Sequence, residues 1–163
     1  RGEGEEGGVS KVETFNNFVL LTSPSAHRSL ALALRLLAAS RGIPRPDGKR
    51  TTFQIGVCSG PFTQGVIGLH SPRHSIFGDT VNTASRMASS APPCTADNPF
   101  VHLSPSSTAL ILGQGAAERE ATLVELGKVV GRRLSLVPHG EGTDLKGKGK
   151  MQTFALQDVT QGA

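Results

Sequence analysis

The chain has 163 residues, of which 37% are hydrophobic, with no Trp or Tyr and a formal net charge of +4. That length suffices for one domain with a core of its own, and the core must be largely aliphatic. The basic residues are spread over separate loops rather than gathered on one face, so no nucleic-acid partner is expected. No apolar run approaches the length of a bilayer crossing, so no membrane contact is expected from this segment. Cys58 and Cys94 are the two cysteines. Their separation fits neither a metal knuckle nor a disulfide framework, and a reduced, cytoplasmic setting is the simple expectation.

In chain order, residues 1–8 (Arg1-Gly2-Glu3-Gly4-Glu5-Glu6-Gly7-Gly8) read as a flexible acidic loop cut out of a longer chain, unlike a signal peptide. Val9 to Thr22 is apolar and β-branched enough for a strand. Ser25 opens a helix in which Leu30, Leu34 and Leu37 recur at helical spacing and form one buried stripe. Gly42 to Lys49, with Asp47-Gly48, is a loop. Phe53, Ile55 and Val57 alternate as a strand. Gly60-Pro61 turns the chain, and Phe62 to Leu69 is expected to return as the second strand of a hairpin. After a helix from about residue 79, Ala91 to Asn98 is irregular. Phe100 to Leu103 is a short strand, and Ser104-Pro105 opens a brief helix through Leu112. The tail (Leu123, Val124, Leu126; Leu134, Leu136; Met151, Phe154, Leu156) alternates enough for three or four more strands, with 159–163 left as a tail. Strands interleaved with amphipathic helices make an α+β layer fold.

Residues 77 to 87, Phe-Gly-Asp-Thr-Val-Asn-Thr-Ala-Ser-Arg-Met, carry the most chemistry. Asp79 suits a helix N-cap, because its carboxylate can accept the unpaired N–H groups of the first turn. From that start Asn82 and Arg86, four residues apart, emerge on one face, with Val81, Ala84 and Ser85 expected on the other. An amide beside a guanidinium, with no carboxylate between them, suits a ligand oxygen or phosphate. Other constellations are poorer. Pro72 breaks any helix that would pair His70 with His74 as metal ligands, and Ser59 and Ser85 lack a His-Asp partnership.

This run resembles the signature of class III nucleotide cyclases, specifically the guanylate cyclase catalytic domain, and the resemblance recurs in order along the chain. Lys11-Val12-Glu13-Thr14, Ile55-Gly56-Val57-Cys58-Ser59-Gly60-Pro61, Gly65-Val66-Ile67-Gly68-Leu69 with Pro72-Arg73, and Lys146-Gly147-Lys148-Gly149 with Met151, Thr153 and Phe154 are each similar to a family segment. The resemblance implies a ferredoxin-like core over residues 9–158, incomplete at its N-terminus. It also implies conversion of GTP to cyclic GMP and pyrophosphate in intracellular signalling. By this likeness Glu13 would read guanine and Ser75 would assist at its O6. Asn82 would hold the ribose, Arg86 would stabilise charge at the α-phosphate, and Lys146, or Lys148, would reach the outer phosphates.

One departure bears on the cofactors. Family members use two Mg²⁺ or Mn²⁺ ions held by two aspartates. One of these normally follows the K-V-E-T segment, where this chain has Phe15-Asn16-Asn17. Asn17 occupies the aspartate position, and a neutral amide is a poor ligand for a hard divalent cation. The resemblance therefore implies no metal site on this chain alone. It points to a homo- or heterodimer, heterodimer favoured, in which this chain donates Asn and Arg while the partner donates the metal ligands. The alternative is a degenerate domain that binds nucleotide or dimerises and regulates a catalytic partner without turnover.

Overall fold

The computed structural model describes residues 8–112, 115–145 and 149–159. The first apolar run is two strands rather than one. β1 (Ser10–Phe15) and β2 (Phe18–Thr22) pair antiparallel, with Phe15 opposite Phe18. The chain reverses at Asn16, which adopts a left-handed φ of 51°. Asparagine tolerates that conformation better than most residues, which is why the strand ends there. α1 (Ala26–Ala39) starts where expected. The Ser25 hydroxyl accepts the Arg28 amide, and Leu30, Leu34 and Leu37 are buried.

The expected hairpin between residues 53–57 and 62–69 does not form. β3 is confined to Gly56–Val57 and pairs in parallel with β6 (Phe100–Leu103). β4 (Thr63–Ile67) instead pairs antiparallel with β5 (Arg73–Phe77). Alternation along a strand shows which side chains share a face but not which strand lies alongside, and a long-range partner won over the local one. α2 (Asp79–Ser90) follows. α3 (Pro105–Leu112) begins and ends as the sequence indicates.

The residues around Leu123, Val124 and Leu126 are not strand. They belong to α4 (Ala116–Val130), which buries Leu126 and Val130 one turn apart and stops at Gly131, a left-handed cap with φ 67°. The tail thus supplies two strands, β7 (Leu134–Leu145) and β8 (Gly149–Asp158), paired antiparallel. The four-stranded sheet runs β3-β6-β8-β7, and the two hairpins β1-β2 and β4-β5 stand as separate sheets. The result is the α+β arrangement expected.

The apolar core joins Leu30, Leu34 and Leu37 of α1, Val101 and Leu103 of β6, Leu126 and Val130 of α4, and Ala155 and Leu156 of β8. Successive strand residues point to opposite faces. His102, between Val101 and Leu103, therefore faces away from α1 and meets α2 instead, through Met87 and Ser90. It is fully buried. Burial lowers its pKa from the ordinary 6.5; the hydrogen bond to the Met87 carbonyl opposes this, and the charge of His139 adds to it.

A histidine kept neutral by burial makes stability depend on pH. In the unfolded chain it takes up a proton near pH 6.5, whereas the buried ring resists to lower pH. Its contribution is therefore complete above that value and is lost as pH falls through it, by at most about 1.4 kcal/mol per pH unit. The urea midpoint should fall between about pH 7.5 and about pH 5.5, and His102→Asn should flatten the fall. Identical pH slopes for the two proteins would contradict the assignment.

Candidate functional site

The position of α2 is set by what β3 lacks. A Cβ built on Gly56 would lie 2.5 Å from the Ala84 carbonyl oxygen and 2.7 Å from the Met87 carbonyl carbon. The helix backbone rests directly on the strand, a contact that glycine alone permits. At the other end the Thr80 hydroxyl donates to the Pro61 carbonyl at 2.7 Å, across a Gly60 whose missing Cβ leaves room for it. Thr83, Met87 and Ala88 form the buried face.

Two local expectations change here. Asp79 is the first helical residue rather than the cap. Gly78 occupies the cap position with φ 135° and no side-chain cap bond, and Asp79 instead sets its carboxylate in the first turn, where the helix dipole favours it. Val81 and Ser85 do not lie opposite Asn82. The face left after Thr83, Met87 and Ala88 dock is broad enough for Val81, Asn82 and Ser85 to share it, since neighbours on a helix are only about 100° apart.

These three residues, together with Glu13, Phe18 and Leu20, line a cavity of about 200 Å³ between the β1-β2 hairpin and α2. Glu13 enters from β1, where the register slips between Lys11 and Glu13 as a bulge. A bulge re-aims the side chains beside it. The cavity so formed has an apolar lining with one carboxylate and one amide converging on it. Arg86 lies one turn beyond Asn82 on α2 and is partly buried. Ser75 is partly buried in β5, opposite Gly65, and β5 packs beside β1, but Ser75 does not line the cavity. Lys146 and Lys148 lie outside the described residues.

Phe18, Leu20, Val81 and Ser85 are the lining residues that sequence reasoning did not assign. The single available signal was that Val81 and Ser85 share the i, i+4 spacing of Asn82 and Arg86.

Asn17 sits exposed beyond β1. Among the described residues no group of three or more His, Cys, Asp or Glu could hold a metal ion. The donor set of these residues thus does not fit a two-metal centre on this chain. Ser59 meets Ser107 at 2.9 Å. Cys94 is buried, and burial pushes its thiol up, away from nucleophilic chemistry.

A larger cavity, of about 350 Å³, lies near the end of α1 between Arg41, Lys49, Arg50 and Asp97. Its arginines are engaged. Arg41, Arg50 and Arg132 all pair with Asp97, and Arg41 also donates to the Ala96 and Val130 carbonyls. These are mainly exposed pairs of small energetic weight that tie loops together. None of the residues singled out in the sequence lines this cavity.

A family model, Adenylate and Guanylate cyclase catalytic domain, matches residues 8–158. The chain belongs to that family. It is 32% identical over 165 residues to the receptor-type guanylate cyclase gcy-19 of Caenorhabditis briggsae, covering 92% of this chain and 12% of that protein. It is 31% identical over 156 residues to the guanylate cyclase soluble subunit beta-2 of Rattus norvegicus, covering 91% of this chain and 19% of that one. Among solved structures it resembles the guanylate cyclase domain of RhGC from Catenaria anguillulae in complex with GTP. The TM-score is 0.69 at 30% identity, over 92% of this chain and 72% of that chain. It also resembles the catalytic core of a rhodopsin-guanylyl cyclase with converted specificity in complex with ATPalphaS, with TM-score 0.68 and 29% identity over 92% of this chain and 72% of that one. Among the described residues no helix is long and apolar enough to cross a membrane.

If Gly56 fixes α2, Gly56→Ala should lower unfolding stability by about 1–3 kcal/mol, the usual cost of overpacking. It should also speed amide exchange along α2 relative to α1. Unaltered stability in urea titrations would show that the helix can lift off β3 freely.

Proposed function

We propose that this chain is the Asn- and Arg-donating half of a guanylate cyclase, turning GTP into cyclic GMP and pyrophosphate in a composite site shared with a partner chain. The observation that carries this is the convergence of Glu13 and Asn82 on one cavity. The guanylate cyclases among its relatives support it. A cavity of about 200 Å³ falls below the usual range for small-molecule sites, in keeping with half of a binding surface.

In the reaction the ribose 3′-oxygen loses its proton and attacks the α-phosphorus in line, and the bond to the pyrophosphate oxygen breaks. Glu13 accepts hydrogen bonds from guanine N1–H and the 2-amino group. Adenine presents a lone pair at N1, so the same carboxylate rejects it. Ser75 on the neighbouring strand donates to guanine O6. Asn82 bonds the ribose and holds its 3′-oxygen in line with the α-phosphorus of the same nucleotide, so that this intramolecular attack starts from a near-attack geometry. Arg86 offsets charge that grows on the α-phosphate oxygens, stabilising the transition state more than bound GTP. Lys146 is assigned to the outer phosphates. Mg²⁺ or Mn²⁺, which family chemistry uses, is assigned to carboxylates of the partner, because Asn17 and the other described residues offer no donor set for it. The functional unit is residues 9–158, at work in the cytoplasm or on the cytoplasmic face of an anchored parent protein. A heterodimer fits this division of labour better than a homodimer, which would carry Asn17 at a metal position in both sites.

The substitution at Asn17 favours a second reading, in which the domain binds nucleotide or a partner and regulates it without turnover. Mixing separates the two. Alone, with either metal, the chain should make negligible cyclic GMP. Mixed with a cyclase domain that carries both aspartates but lacks its own Asn and Arg, it should restore turnover. Inactivity in every mixture would leave only the regulatory reading, and vigorous activity of the isolated chain would refute the half-site.

Guanine selection should follow Glu13. In the active mixture, Glu13→Lys with Ser75→Asp inverts both hydrogen-bond patterns and should shift competitive turnover from GTP toward ATP. An undiminished GTP preference in the double variant would remove Glu13 from the base-reading role.

A further inference from the structure

The hydrogen-bond ladder of α2 runs out at Met87. The amide of Ala91, four residues on, donates to the Ala88 carbonyl at 3.1 Å and not to Met87. The Met87 carbonyl is one of the terminal acceptors that a helix leaves without an internal partner. The sheet answers it, with His102 Nδ1 lying 3.0 Å away. A carbonyl only accepts, so Nδ1 carries the proton. Nε2 is then the acceptor and takes the Thr153 hydroxyl at 2.8 Å. Ser90 Oγ lies 3.2 Å from both the Met87 carbonyl oxygen and Nδ1, closing the group. Around the ring stand Met87 and Ser90 from α2, Thr153 from β8, Phe100 from its own strand, and the His139 ring of β7 at 5.0 Å. The ring is fully shielded from solvent. His102 thus ties three sheet strands to the last turn of the helix that carries Asn82 and Arg86.

We propose that His102 is a positioning residue for the substrate-facing side of α2. Its Nδ1–H holds the carbonyl immediately following Arg86 and so fixes the rotation of that turn. The functional part of this inference rests on the cyclase-half reading. The leverage is large. Side chains extend about 6 Å from a helix axis, so a rotation of about 10° moves Arg86 and Asn82 by about 1 Å. A displacement of that size costs on the order of 10²-fold in rate where reacting groups must be aligned. Gly56 fixes how closely α2 approaches the sheet, while His102 fixes how it is turned.

Two amide substitutions separate the ring's two edges. Asparagine places an amide N–H near the position of Nδ1 and can keep the Met87 contact. Glutamine reaches toward the position of Nε2 and takes the sheet's donor away from the Met87 carbonyl, which keeps only the Ser90 hydroxyl from within its own helix. In the mixture with a metal-bearing partner, His102→Asn should keep kcat for GTP within about threefold. His102→Gln should lower kcat about 10²-fold while KM moves by less than about threefold. Thr153→Val, which removes the hydroxyl partner of Nε2 and leaves Nδ1 its carbonyl, should behave like the asparagine variant and also covers the case in which the glutamine variant does not fold.

A direct readout needs no activity. With 13C-carbonyl methionine, the Met87 signal should stay near its wild-type position in His102→Asn and Thr153→Val and shift in His102→Gln. Equal kcat losses in all three variants, or a Met87 carbonyl signal insensitive to His102→Gln, would overturn the proposal. If the wild-type mixture makes no cyclic GMP, the cyclase reading fails, while the carbonyl signal still decides whether His102 holds α2.

Discussion

The site depends on one missing side chain. Because Gly56 has no Cβ, the backbone of α2 lies against β3 at a distance that any other residue would forbid. Everything on the outer face of α2 inherits its place from that contact. Thr80, held by the Pro61 carbonyl, fixes where the helix begins, and the buried stripe of Thr83, Met87 and Ala88 fixes which side is left to face the β1-β2 hairpin. The cavity is therefore a consequence of close packing between a helix and a two-residue strand, with Glu13 delivered to it from a separate hairpin.

That arrangement also explains the character of the site. The groups that line the cavity are a carboxylate, an amide, a hydroxyl and an apolar wall. Groups that bind hard cations do not converge among the described residues. Asn17 removes the negative charge at the position where the family carries a metal ligand. In the proposed function, base reading and ribose holding fall to this chain and the metal ions to a second one.

Much of this was legible in the sequence because the cues were local. Helical spacing of Leu30, Leu34 and Leu37 and the Ser25 cap gave α1, and Ser104-Pro105 gave α3. The spacing of Asn82 and Arg86 placed them one turn apart on α2. What failed was non-local or ambiguous. The partner of β3 is a strand more than forty residues away, and no local pattern encodes it. The residues 123–126 satisfy a short strand pattern and a buried helix stripe equally well, and α4 needed the left-handed stop at Gly131 to be told apart. Val81 and Ser85 share the cavity with Asn82, because the spacing of two residues, Asn82 and Arg86, cannot define the edge of a face. The reach of His102 to Met87 spans 15 residues and joins a strand to a helix end, so only the folded chain reveals it.

Glu13 and Asn82 line one cavity between the β1-β2 hairpin and α2, and a nucleotide bound there must perturb the residues around it. Titrating the 15N-labelled chain with GMP and following the amide signals tests this. The perturbations should concentrate on Glu13, Leu20, Val81, Asn82 and Ser85, and be weaker with AMP. Perturbations centred instead on Arg41, Arg50 and Thr95, around the larger cavity, would contradict it.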